Sequence, residues 1–129
     1  MRSKAMFMKL KLKKLKRDQL NVLVRRISDY SQYLNFMQST EAKQVHFIHL
    51  SILTDLQFEV MKKAIDPKIE ERTSLSLDLH TAFILHSALL YRKEDNDYYM
   101  SLQRRTIEEL NQQLPTCSDI EIDCSSSEL

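Results

Sequence analysis

Four histidines are the side chains of this sequence best suited to hold a metal ion or carry a proton. His46 and His49 are three residues apart, which on a helix puts both within reach of one ion. His80 and His86 are nearly two helical turns apart on a later segment. No Glu-x-x-His occurs, so the ferritin-like di-iron pattern is missing, and no His-Glu-x-x-His occurs either. The reading favoured here makes His49 and His86 core-edge residues with hydrogen-bond partners and His46 and His80 surface residues, with no metal. Six residues separate Cys117 from Cys124, beyond the usual two to four of a zinc pair, and no histidine follows them. Two cysteines near one end make no disulfide framework, which fits a reduced, cytoplasmic setting.

Acid-base chemistry needs a carboxylate whose pKa is shifted by its surroundings. Asp55 and Glu59 stand four apart, and Glu108 and Glu109 fall on a solvated helix face, but nothing marks a buried site. The chain contains no glycine at all, where roughly 7% usage would give about nine. That removes the P-loop, the dinucleotide fingerprint and the glycine-flanked nucleophile elbow. The sequence therefore predicts a non-enzymatic protein with no cofactor and no small-molecule substrate.

Basic residues are the remaining chemical feature. Residues 1–17 carry eight basic side chains and no acidic one, whereas residues 115–129 carry four acidic side chains and no basic one. Formal net charge is only +1, so no global field attracts a polyanion. A local one is available: Lys9, Lys11, Lys13, Lys14, Lys16 and Arg17, extended by Arg25 and Arg26, form a candidate polyanion-binding set. No tryptophan is present, and no compact helix-turn-helix signature is readable.

These residues must be positioned by a fold, and 129 residues suffice for one core. Hydrophobic residues make up 43% and charged residues 29%, ordinary for a soluble domain. No apolar run approaches the length of a membrane span, and residues 1–7 are too short and polar for a secretory h-region. Without glycine a turn-rich sandwich or barrel is disfavoured, and helices are favoured.

Leu20, Leu23, Val24, Ile27, Tyr30, Leu34 and Met37 predict a first helix ending near Gln38. Its heptad-like seam suits either the core or a homodimer, with the core preferred. Ser39 or Thr40 is expected to cap a second helix whose inward face is Val45, His49, Ile52, Leu53, Leu56, Val60 and Met61. Asp66-Pro67 stops it. A third helix turns Leu79, Ala82, Phe83, His86, Leu89 and Leu90 inward, capped by Asp78. Residues 93–97 form a polar loop. A fourth helix from about Asp97 turns Tyr99, Leu102, Thr106, Leu110 and Leu114 inward, and Pro115 closes it.

Two short segments alternate as strands do: "KLKLK" at 9–13 and "SLSLD" at 74–78. Each precedes two helices, and an offset of 65 residues sets Leu10 and Leu12 on Leu75 and Leu77, a weak internal repeat. The expected fold is thus mainly α with a short two-stranded sheet (α+β). Two β-α-α halves, about 8–66 and 73–115, form one domain over 1–115. A plain all-α four-helix arrangement is the fallback. Residues 116–129 read as an acidic, serine-rich disordered tail. Function is expected to be that of a small intracellular interaction or accessory protein acting through helix faces, with a protein partner or a homodimer. The alternative is a nucleic-acid-binding accessory protein that uses the basic segment.

Overall fold

The computed structural model describes residues 9–41, 43–66 and 73–115. The expected tail, Cys117 and Cys124 lie outside them. The chain order is β1 (Lys9–Leu15), α1 (Arg17–Thr40), α2 (Gln44–Ile65), β2 (Thr73–Asp78), α3 (Leu79–Tyr91) and α4 (Asp97–Gln113). This is the mainly helical α+β fold expected, with four helices and one two-stranded sheet.

The sheet is antiparallel, with Leu10 opposite Leu77 and Leu12 opposite Leu75. Alternation sends these four leucines to the core and Lys9, Lys11 and Ser76 to solvent. Leu15 is three residues beyond Leu12, so a regular strand would turn it outward. A bulge between them corrects the phase, and Lys14 takes the left-handed conformation (φ 58°) that lets Leu15 bury. The edge of β1 away from β2 is met by α4. The Lys11 N–H donates to Gln113 Oε1 (2.9 Å), and Gln113 Nε2 donates to the Lys11 carbonyl (2.9 Å). The Lys13 N–H donates to Glu109 Oε1 (2.8 Å). Side chains of α4 thus do the work of a third strand and close an edge otherwise open to pairing.

Helix α1 packs against all three other helices. Its seam residues Leu20, Leu23, Ile27 and Leu34 are buried in this chain's own core, so a dimer must use another face. The boundary between α1 and α2 differs from expectation. Ser39 Oγ donates to the Phe36 carbonyl (2.7 Å) and Thr40 Oγ1 to the Met37 carbonyl (3.1 Å). These hydroxyls occupy the orphan carbonyls at the end of α1, so they cannot cap α2, which starts later with Lys43 at its N-cap.

The buried face of α2 is Leu53, Leu56, Val60 and Ala64. Ile52 and His49 are half-buried, whereas Val45 and Met61 are exposed, contrary to the periodicity. On α3 the core takes Ala82, Ile84, Leu85, Ala88 and Leu89, leaving Phe83 and Leu90 outward. Both helices are apolar on more than one side, so spacing alone could not say which side faces the core.

Asp78 caps α3 as expected, accepting from the Thr81 N–H at 2.8 Å. That hydrogen bond, then one with the Thr81 side chain, holds its carboxyl below the ordinary value of 3.8; His80 and Lys9 add a smaller pull, against slight burial. The cap's contribution is therefore complete above the ordinary carboxylate range and disappears as pH falls through the lowered value. Asp78→Ala is expected to cost about 1 kcal/mol at neutral pH. In urea titrations the gap between variant and parent should close on acidification through and below the ordinary carboxylate range.

Candidate interaction surfaces

The structure divides the eight basic candidates. Lys9, Lys11, Lys13, Lys14 and Lys16 are exposed along β1 and its junction with α1. Lys9 lies across the sheet from Asp78. Arg17, also exposed, donates from Nη2 to the Asp66 carbonyl (3.0 Å) and so ties the start of α1 to the end of α2.

Arg25 and Arg26 turn instead to the loop between α3 and α4, where they meet Glu94. Arg26 is buried; its Nε lies 2.6 Å from Glu94 Oε2, its Nη2 2.9 Å from Asp29 Oδ2, and its Nη1 donates to the Arg92 carbonyl (3.1 Å). Arg25 reaches the other Glu94 oxygen at 2.7 Å and lies over the Tyr99 ring, 4.7 Å from its centroid. The Glu94 N–H donates to Gln103 Oε1 (2.9 Å), and Gln103 Nε2 donates to the carbonyls of Leu89 and Arg92 (2.7 Å each). This knot joins α1, the end of α3, the loop and α4. Its arginines are engaged inside the chain rather than set beside the lysines of β1. Sequence reading missed Glu94 and Gln103. A signal existed for Gln103, which follows Tyr99 by four residues on the inward face of α4. None existed for Glu94, one acid in a polar loop.

Asn96 Oδ1 caps α4 by accepting from the N–H groups of Tyr98 (2.8 Å) and Tyr99 (3.3 Å). The Tyr98 hydroxyl donates to Asp18 (2.8 Å), and this bond raises the tyrosine's pKa. Tyr30, Tyr33 and Tyr91 form a ring cluster with centroids 4.9 to 6.0 Å apart. Burial is the main cause raising the Tyr30 pKa, and the neighbouring Tyr33 adds to it.

His49 and His80 come together, lining a cleft of about 410 Å³ with Ile48, Ile52, Thr81 and Phe83. An adjoining cleft of about 490 Å³ is lined by Lys9, Asp55, Glu59 and Ser76, and Asp78 borders both. Among the described residues no group of three or more His, Cys, Asp or Glu is placed to hold a metal ion. His46, expected at the surface, is half-buried. His46 Nδ1 and His86 Nε2 are enclosed with no hydrogen-bond partner among the described residues, so the partner expected for His86 is not found at that nitrogen.

Among the described residues, six of the twelve exposed large hydrophobics are on α2. Phe47, Ser51, Thr54, Phe58, Met61 and Ile65 follow alternating four- and three-residue steps, and all six are exposed. Phe58 keeps 71% of its surface open and Ile65 76%. Together they form one outward stripe, well round the helix from Leu53, Leu56 and Val60. Sequence reading placed only Met61 of this stripe, and on the core side.

The fold and its surfaces define a small β-α-α-β-α-α protein whose β1 edge is closed by α4 and whose α2 carries an uncovered apolar stripe. No protein-family model matches the chain, and no curated protein or solved structure matches it either. Among the described residues no helix is long and apolar enough to cross a membrane.

Proposed function

We propose that the chain is a small non-enzymatic interaction or accessory protein of the cytoplasm, and that it works by docking an apolar helix of another polypeptide along the outward stripe of α2. The observation that carries this reading is the heptad-like stripe itself. A helix apolar on both its inward and outward sides is the kind normally enclosed on both. Leaving the stripe in water forgoes about 25 cal/mol for each Å² of apolar surface, which a docked helix recovers. Helix-in-groove recognition uses anchors at this spacing.

The test is affinity capture from native lysate after nuclease treatment, at low and high salt. Apolar docking predicts a bound polypeptide that persists at high salt and is lost in Phe58→Glu, a change on an exposed position that leaves the core alone. Capture unaffected by Phe58→Glu overturns the reading.

One observation favours a second reading. Alternation in β1 sets Lys9, Lys11 and Lys13 together on the solvent side of the sheet, with Lys14 and Lys16 close by. A nucleic-acid partner on this face predicts binding to DNA or RNA that weakens steeply with salt. It predicts loss of that binding when Lys9, Lys11, Lys13 and Lys16 are changed to Glu, whereas unchanged binding eliminates it.

A further inference from the structure

The stripe on α2 has a property that a generic docking face lacks: it is complementary to itself. An isologous dimer requires that a patch, rotated by a two-fold axis, fit its own copy. Laid antiparallel about the midpoint of the stripe, Phe47 of one copy opposes Ile65 of the second, Ser51 opposes Met61, and Thr54 opposes Phe58. In four of these six layers a small side chain faces a large one, as interdigitating helix packing needs. The other two pair Phe47 with Ile65. The stripe covers about 27 Å of helix, five turns, and the antiparallel pair leaves none of it uncovered.

We infer that the helix docked on α2 is α2 of a second copy, in an antiparallel two-fold homodimer. This rests on the reading of α2 as a docking face and names its occupant. The area agrees. At about 200 Å² per large side chain, the exposed parts of Phe47, Ile48, Phe58, Met61 and Ile65 come to roughly 600 Å² on each copy. Complete coverage of these side chains in a pair would bury about 1,200 Å², above the ~1,000 Å² that a specific interface needs and below the ~1,600 Å² standard size. One edge of the stripe is bordered by residues already packed on this chain: Ala64 is buried and Gln57 donates to the Val24 carbonyl (3.5 Å). The other edge carries Asp55 and Lys62, both exposed. Asp55 meets its own copy beside the axis, which holds the association in a weak, reversible range. Lys62 lies across from Ile48, and its alkyl stem covers that side chain.

Sedimentation equilibrium of the purified full chain, with circular dichroism to verify folding, tests the inference. The parent is expected to dimerise with a dissociation constant in the micromolar range, about 1–100 μM for an interface of this size. Phe58→Glu is expected to weaken dimerisation about a hundredfold or more by placing a charge between the helices. Thr54→Phe supplies the sharper arm. It enlarges the apolar surface, so a merely adhesive face would associate more tightly. The two-fold register places two phenylalanines in one layer, and predicts weakening by about tenfold.

A monomer at millimolar concentration overturns the homodimer. So does a dimer indifferent to Phe58→Glu, or tightening by Thr54→Phe. A monomeric parent that still captures a lysate polypeptide through Phe58 overturns the second copy as occupant while docking on α2 stands. Loss of both defeats the two readings together.

Discussion

Glu94→Ala is expected to be the most damaging single polar substitution in the protein, costing about 3–5 kcal/mol. The carboxylate is enclosed between Arg25 and Arg26, and Arg26 is itself buried, with side-chain exposure of 7% against 5% for Glu94. Removing the acid leaves Arg26, among the described residues, with the partly exposed Asp29 as its remaining carboxylate partner. The buried guanidinium then keeps its desolvation cost with one of its two carboxylate partners gone. A domain of this size has ~5–15 kcal/mol of total stability, so the variant should lose about a fifth of it or more.

Arg25→Ala is the internal control. Its side chain is 43% exposed, and its loss should cost no more than about 1 kcal/mol. Arg26→Met combined with Glu94→Ala should be less harmful than the single effects summed, because the stranded charge is gone. Urea unfolding of the parent, the three single variants (Glu94→Ala, Arg25→Ala, Arg26→Met) and the double variant measures these terms. A Glu94→Ala midpoint within error of the parent would show that the knot does not hold the loop.

The second large effect is expected in the sheet. Leu12→Ala should destabilise by about 2–5 kcal/mol, the range for emptying a packed core position. Leu12 is fully buried, faces Leu75 across the sheet and belongs to the same cluster as Leu53 and Leu85. Its neighbour Lys11 points to solvent, so Lys11→Ala should stay within about 0.5 kcal/mol. Adjacent positions with opposite outcomes are the signature of strand alternation. An unstructured segment would not produce it, and a helix would not repeat it at both Leu10 and Leu12 with Lys9, Lys11 and Lys13 tolerant. Equal effects at the two positions in urea titrations would contradict the strand. Two short strands are not stable alone in water, so the loss should appear as a lower midpoint for the whole chain and not as local fraying.

Strong local patterns were legible and specific. The period-two leucines of 9–13 and 74–78 marked both strands. The cap at Asp78 and the stop at Asp66 follow from chemistry within a few residues of each. The limits of α1 and α2 were harder, because Ser39 and Thr40 can cap a following helix or finish a preceding one, and only the chain's path decides. Leu15 illustrates the same limit: its spacing from Leu12 breaks the alternation, and the bulge at Lys14 is what turns it inward.

The candidate sites were less legible than the fold. Adjacent arginines at 25 and 26 look like a basic surface, and in the structure both converge on Glu94, 68 residues beyond Arg26. Phe58 and Ile65 look like core residues by type and stand among the most exposed.

The sequence by itself determined the element types and their order, since helix and strand periodicity, caps and stops act over a few residues. It also excluded the glycine-dependent phosphate and nucleophile motifs. Only the tertiary structure decided which side of each apolar helix is enclosed, which charges are spent inside, and that Gln113 seals the β1 edge. The physical reason is that burial and ion pairing depend on distance in space. A helix apolar on two sides, such as α2, offers equal local arguments for either, and packing against α1 settles which one remains in water.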